Sequence, residues 1–415
     1  MEGKWPCCRW RVVLIICTLS VVGFVIQTFI LRNDTFALNK QHALHVLQKV
    51  FHHWSPPGTR EPESGGPPGL GRERWKATPS PGCQHKSHIV FLNTHTTDSS
   101  AIQNILYRYG EQRNLTFALP KGKDVRFPRR QLFQAQFVEG VDSSRVKEFH
   151  IMCNQMRFRK SEVAKVMPED TLYFSMLRHP VPLVQSAFLY SKVVTIFGDS
   201  HDLDMVVEDS LRNSTSPVDE SGFTLNKLAF DFGFDNVVSA GDEDLEQRAA
   251  EVIVDIEKDF HLLLIHEYFD ESLILLRHTL CWSLEDVATF RPSRRSDQTH
   301  YSVSAETAED IRQWNALDWK IYQHFNATFW HKVESVVGVE QMQKEVSDLR
   351  ELQAELTRTC LEGKMAHPEV TWQGREVSLG FNLNPGLNAA LKRKCQKLVT
   401  PALQYTYKLY DQQFP

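Results

Sequence analysis

The chain has 415 residues, 42% hydrophobic and 24% charged, with a formal net charge of −4. That is ordinary globular composition with room for one large domain or two small ones. The acidic balance argues against a nucleic-acid-binding protein, which would usually carry a basic surface and a high pI.

In chain order, the first informative segment is Val12 to Leu31, VVLIICTLSVVGFVIQTFIL, which carries no formal charge. As a helix, about 20 residues span about 30 Å, the thickness of a bilayer's hydrocarbon core. Lys4, Arg9 and Arg11 precede it. The positive-inside rule then puts residues 1–11 in the cytosol and the rest in the lumen. A cleaved signal peptide is the alternative. The length of the apolar run and the want of a nearby small-x-small cleavage site favour a type II signal anchor over 12–31.

Residues 32–84 read as a lumenal stem. Leu44, Leu47, Phe51 and Trp54 share a helical face, giving a helix near the bilayer or a pairing helix. The Pro/Gly-rich run over 56–82 has too little apolar surface to fold. A folded domain is expected over 85–415. Five cysteines follow the span: Cys83, Cys153, Cys281, Cys360 and Cys395. The odd number leaves at least one thiol outside intrachain disulfides, and Cys360 with Cys395 is the preferred pair. Asn114, Asn213 and Asn326 head N-x-S/T sequons, which agree with a lumenal domain.

Within that domain strand and helix patterns alternate, the signature of an α/β fold with a mostly parallel sheet. Ile89–Leu92 reads as a strand, followed by a helix over Ala101–Tyr109 with Gly110 as its stop. Leu172–Leu177 is a second strand, leading into a helix started by Pro182 that carries Leu183, Ala187 and Phe188. Leu262–Ile265 is a third, before a helix capped by Asp270. Beyond residue 300 the pattern is nearly all helical. Trp319, Tyr322, Phe325 and Phe329 share one face, and a charged helix covers roughly Val333–Thr359.

Two strand ends carry candidate chemistry. After the first strand comes Asn93-Thr94-His95-Thr96-Thr97-Asp98-Ser99-Ser100. A strand, a short loop and a helix N-terminus form an anion cradle from unpaired N–H groups. An ordinary capped turn is the plainer reading. No G-x-x-x-x-G-K-[ST] is present, which disfavours a nucleoside triphosphatase. After the second strand, Arg178 precedes Ser186 within LRHPVPLVQSAFLY. An arginine fork plus a hydroxyl suits a second phosphate, and two anion sites suit a bis-phosphorylated adenosine nucleotide. The histidines are scattered and form no metal-ligand pattern.

The pair resembles the 5′-phosphosulfate loop and 3′-phosphate motif of Golgi sulfotransferases, and more narrowly the galactose 3-O-sulfotransferases. NILYRYG, HIMCNQMRF, FDFGFD, EYFDESLILLRHTLCW, ALDWKIYQHFNATFW, LGFNLNPG and TPALQYTYKLY occur in the family's order. The resemblance implies a P-loop-like sulfotransferase fold with a helical C-terminal part. It also implies a Golgi enzyme moving a sulfuryl group from 3′-phosphoadenosine 5′-phosphosulfate to the 3-hydroxyl of terminal β-galactose on glycolipids or glycoproteins. No metal is needed, no nucleic acid is bound, and a homodimer is compatible. It makes His95 the catalytic base, and Thr94, Thr97, Ser99, Ser100, Arg178 and Ser186 donor-binding residues.

The loop departs from the family's Lys-Thr-His-Lys-Thr-Ala-Ser-Ser-Thr. Asn93 and Thr96 replace the lysines, Asp98 replaces alanine and Ala101 the last hydroxyl; farther on, Gln155 replaces a histidine. Losing one preorganised donor costs about 3–4 kcal/mol of transition-state stabilisation. A catalytically impaired relative, keeping the fold as a carbohydrate- or partner-binding protein, is therefore the alternative. Lys121, Lys123 or Arg157 are candidates for substitute charge. Arg294 and Arg295 fit a solvated basic turn better than a ligand contact.

Overall fold

A computed structural model of the chain describes residues 75–94, 99–143, 145–190, 225–290, 303–362, 370–372, 375–377 and 381–415. The expected span at 12–31 lies outside these residues. Among the described residues no helix is long and apolar enough to cross a membrane. Packing begins ahead of the expected His85 start. Trp75 is buried, and Cys83 is disulfide-bonded to Cys281.

The centre is a four-stranded parallel sheet of β1 (Ile89–Leu92), β2 (Ile151–Met152), β3 (Leu172–Leu177) and β4 (Leu262–Ile265), in the order β2-β1-β3-β4. The three strands read from the sequence have the expected bounds. β1 and β3 are buried along their whole length. Such strands are continuous apolar runs because both faces are covered. β2, only two residues long, gave no periodic signal.

Parallel neighbours need long crossovers. Helix α1 (Ser100–Gln112) follows β1. Gly110 does not stop it; the helix runs on to Gln112. A Cβ on Gly110 would sit 2.3 Å from the Phe117 ring, so close approach accounts for the glycine. Helices α2 (Lys160–Val163), α3 (Pro180–Tyr190), α4 (Lys227–Asp231) and α5 (Leu245–Asp259) follow along the chain. Helix α3 starts at Pro180, two residues before the expected proline.

Beyond β4 come α6 (Phe269–Leu280), α7 (Leu284–Val287), α8 (Ala305–Trp314) and α9 (Ala316–Val336). Asp270 is inside α6, not at its cap; it is 1% exposed and accepts from Arg350 Nε at 2.7 Å. Tyr322, Phe325 and Phe329 are buried along α9 as the spacing requires. The charged helix is α10 (Val339–Cys360), separated from α9 by Gly338 at φ +87°. Few side chains tolerate that conformation, so the break falls at glycine.

The last elements are a two-stranded hairpin, β5 (Val370–Trp372) with β6 (Arg375–Val377), and helices α11 (Ala389–Val399) and α12 (Ala402–Gln413). Cys360 pairs with Cys395 as expected, Cys83 with Cys281, and Cys153 is the buried free thiol. Helix α12 locks onto α1: Tyr107 Oη meets Thr406 Oγ1 at 2.7 Å, and Glu111 takes Tyr405 Oη and Lys408 Nζ at 2.5 Å each.

Candidate functional site

From β1 the chain goes to β2 on one side and then to β3 on the other. The crevice between the carboxyl ends of β1 and β3 is therefore a topological switch point, the place where open α/β sheets bind ligands. Both motifs singled out from the sequence follow those two strands.

The register pairs Leu92 with Ser175. Two residues past the end of β1, the Thr94 hydroxyl donates to the Met176 carbonyl within β3 at 2.8 Å. Ser175 Oγ returns the tie by donating to the Leu92 carbonyl at 2.8 Å. These two side-chain bonds fasten the loop's root to the strand that carries Arg178. Thr94 is fully buried, so its hydroxyl serves the strand junction.

Asn93 is 3% exposed and lies in a buried polar chain. Its Oδ1 accepts from the Ser99 hydroxyl. Its Nδ2 donates to Gln103 Oε1 at 3.3 Å and to the Cys153 carbonyl at 3.4 Å. Gln103 Nε2 continues to Tyr107 Oη at 2.7 Å, and Tyr107 to Thr406. Burial holds the Tyr107 hydroxyl and the Cys153 thiol above their ordinary pKa values, so both stay neutral. Where the family has a lysine, this chain has an amide inside a neutral hydrogen-bonded chain.

Ser99 flanks α1 in helical backbone geometry and its side chain makes no capping bond; its hydroxyl is turned to Asn93. Ser100 is exposed at the first position of the helix. The first-turn N–H groups have no intrahelical acceptor, and the turn holds no acidic residue, as an anion site needs. His95, Thr96, Thr97 and Asp98 lie outside the described residues.

In the second motif the two side chains meet: Arg178 Nη1 donates to Ser186 Oγ at 2.7 Å. Arg178 leaves the end of β3, and Ser186 comes back one turn and a half into α3. The residue after Arg178, His179, caps the helix: its Nδ1 accepts from the Val181 N–H at 3.1 Å. The His179 N–H donates to Glu267 Oε1 at 2.9 Å, and Tyr322 Oη donates to Glu267 Oε2 at 3.2 Å. Burial lowers the His179 pKa, against the opposing pull of Glu267. Glu267 thus ties the ends of β3 and β4 and α9 together, a role that sequence reasoning missed.

Gln103 and Tyr107 were missed too, although Ser99, Gln103 and Tyr107 recur every four residues on one face of α1. The proposed substitutes for the lost lysines are engaged elsewhere. Lys123 pairs with Asp411 at 2.6 Å. Lys121 lies 4.0 Å from Asp142. Arg157 donates to the Phe234 carbonyl at 3.0 Å and covers the Phe230 ring at 4.3 Å. Gln155 pairs through its backbone, its carbonyl accepting from the Phe127 N–H at 2.9 Å. Of the sequons, Asn114 is on an exposed turn at φ +54°, Asn326 is half-buried within α9, and Asn213 lies outside the described residues.

Among the described residues one group has the composition of a metal site, His88, Glu148 and His150, at the opposite end of β1 and β2. Hydrogen bonding accounts for it. His150 Nδ1 accepts from the Thr116 N–H at 3.3 Å, which leaves the ring proton on Nε2, facing Glu148 at 3.6 Å. His88 Nδ1 meets Asp170 at 2.7 Å.

Comparison with known proteins bears on the whole length. The family described as galactose-3-O-sulfotransferase matches residues 25–413. Galactose-3-O-sulfotransferase 2 of Sus scrofa is 41% identical over 341 residues, covering 79% of this chain and 85% of that protein. Galactosylceramide sulfotransferase of Homo sapiens is 35% identical over 408 residues, covering 94% and 92%. Galactose-3-O-sulfotransferase 4 of Homo sapiens is 31% identical over 414 residues, covering 81% and 85%.

Proposed function

Because the chain belongs to the galactose-3-O-sulfotransferase family, whose named relatives are sulfotransferase enzymes, we propose that it sulfates the 3-hydroxyl of terminal β-galactose. The donor in this reading is 3′-phosphoadenosine 5′-phosphosulfate, and the acceptors are galactosides of glycolipids or glycoproteins. The observation that carries it is the Arg178–Ser186 pair at the end of β3, beside the loop that follows β1.

The donor set fits a bis-anionic nucleotide. Arg178 and Ser186 offer a guanidinium and a hydroxyl for the 3′-phosphate. The first turn of α1, with Ser100 exposed, offers N–H groups to the phosphosulfate. Thr97 adds a hydroxyl in this reading. His95 takes the proton from the galactose 3-hydroxyl as its oxygen bonds to sulfur and the sulfur–oxygen bond to the donor phosphate breaks. The protein's share is in-line positioning and charge stabilisation, as in phosphoryl transfer.

A non-catalytic relative with the same fold is the weaker reading, since the relatives at 31–41% identity are named for sulfotransferase activity. Asn93, Thr96 and Asp98 bear on the rate. A loop with two fewer cations and one more carboxylate binds the donor less tightly.

The setting proposed is the Golgi membrane, with 12–31 as a type II anchor, the catalytic domain lumenal and a homodimer compatible. The two disulfides support an oxidising compartment. The test is transfer of labelled sulfate from the donor to a terminal β-galactoside by the purified protein. Label on the galactose 3-hydroxyl supports the reading; donor binding without transfer supports the non-catalytic relative.

A further inference from the structure

A cavity lies at the other end of the sheet from the β1/β3 crevice. Helix α1 runs back against β1, so its last turns sit where β1 begins. Arg108 and Arg113 are about 12 and 20 Å along the helix from Ser100 at about 1.5 Å per residue. They open onto a cavity of about 500 Å³ whose wall is completed by α7, α11 and the segment before β1. Six basic side chains line it, Lys76, Arg108, Arg113, Arg393, Lys394 and Lys397, against two acidic ones, Glu285 and Asp286. This excess of positive charge stands out in a chain whose net charge is −4.

The acids do not neutralise the wall. Arg113 takes Asp286 at 3.2 Å, and Lys394 lies 3.7 Å from Glu285. Lys397 reaches outward to Glu111 at 3.0 Å. The Lys76 and Arg393 side chains have no hydrogen bond or ion pair among the described residues. Arg108 is 6% exposed. Its Nε and Nη2 donate to neutral oxygens, Asn104 Oδ1 at 2.9 Å and the Ala288 carbonyl at 2.6 Å. Burial lowers the Arg108 pKa against the opposing pull of the Asp286 carboxylate on the same wall, and a bound anion would add to that pull.

The wall is also braced. Cys83–Cys281 ties the segment carrying Lys76 and His85 to the turn before Ser283. Cys360–Cys395 ties α10 to α11 between Lys394 and Lys397. Both disulfides therefore anchor segments that carry cations of this one cavity, as recognition of a small rigid anion requires.

We propose that this cavity binds a small polyanion bearing two or more sulfate or phosphate groups, at a site separate from the donor crevice. Arginine forks suit tetrahedral oxyanions, and the volume is in the range of small-ligand pockets and takes a disaccharide-sized molecule. The assignment stands on the cavity alone and does not depend on the reaction proposed for the crevice.

The test is calorimetric titration of the full chain with sucrose octasulfate and, separately, inositol hexakisphosphate, at near-physiological salt. Three proteins are compared: the native chain, Lys76→Ala/Arg393→Ala, and Arg178→Ala. The two substituted cations of the double variant are exposed, with no side-chain partner among the described residues, so folding is unaffected; the thermal unfolding midpoint checks this. Saturable binding by the native chain, weakened at least tenfold in the double variant and unchanged in Arg178→Ala, is expected. The preferred probe tells sulfate from phosphate. Binding lost in Arg178→Ala but kept in the double variant would assign the probe to the donor crevice and overturn the proposal, as would no saturable binding of either probe.

Discussion

Arg178 and Ser186 meet at 2.7 Å although one directly follows a strand and the other lies within the next helix. The contact orients the guanidinium before any ligand arrives. A planar fork fixed in this way presents its N–H groups at set angles, and lysine cannot reproduce that geometry. Arg178→Ala and Arg178→Lys are both expected to weaken binding of adenosine 3′,5′-bisphosphate by about ten- to hundredfold, the worth of charge-assisted hydrogen bonds at about 1.5–3 kcal/mol. Ser186→Ala should cost less, nearer tenfold. Calorimetry with the bisphosphate reads all three.

Asn93 holds the root of the loop through Ser99 and Gln103. Removing its amide leaves both partners buried without it. Asn93→Ala is expected to lower stability by about 1–3 kcal/mol, measured by urea unfolding. Asn93→Lys/Thr96→Lys adds two cations and is expected to raise sulfate transfer, at a cost in stability because the first change puts a lysine in place of a buried amide. An unchanged rate would shift the cause of any slow turnover to Asp98, Ala101 or Gln155.

The disulfides differ in the loops that they close, 198 residues for Cys83–Cys281 and 35 for Cys360–Cys395. Chain entropy makes them worth about 5 and about 4 kcal/mol. Cys83→Ser should therefore destabilise more than Cys360→Ser in thermal unfolding. Cys153 is buried with its thiol pKa pushed up, so alkylation should label it only after unfolding.

Glu345 joins α10 to α6 through Arg277 and through His278 Nε2 at 3.0 Å. Burial would raise its pKa. Hydrogen bonds from His278 and Gln341, with the Arg277 charge, outweigh burial and hold the pKa at about 2, against 4.5 for an ordinary glutamate. A depressed carboxyl adds stability that is complete above about pH 4.5 and lost as pH falls toward 2. Glu345→Gln leaves Arg277 without its buried counter-charge and is expected to cost about 3–5 kcal/mol at neutral pH. Its stability should also fall less than that of the native chain on acidification over that window.

The parallel sheet was legible because β1, β3 and β4 are uninterrupted apolar runs. β2 was not, since two residues cannot show a period. Gly110 misled because glycine has two uses. Here it admits the Phe117 ring and does not end a helix. Gly338 does break one, between α9 and α10, where the charge pattern alone suggested a single helix. Arg178 and Ser186 could be singled out from spacing and proline context. The Asn93–Gln103–Tyr107–Thr406 chain could not, because its last member comes from the far end of the sequence. Glu267 was hidden for the same reason: its partners His179 and Tyr322 are distant in sequence and meet only when the strand ends are aligned.

The most direct measurement is radiolabelled sulfate transfer from 3′-phosphoadenosine 5′-phosphosulfate to a terminal β-galactoside, native chain beside Arg178→Ala and His95→Ala. The account predicts label on the galactose 3-hydroxyl with the native chain. It predicts loss with His95→Ala despite retained nucleotide binding, and a raised donor KM with Arg178→Ala. Transfer that survives both substitutions unchanged, or no transfer by a native chain that binds the donor, would contradict it.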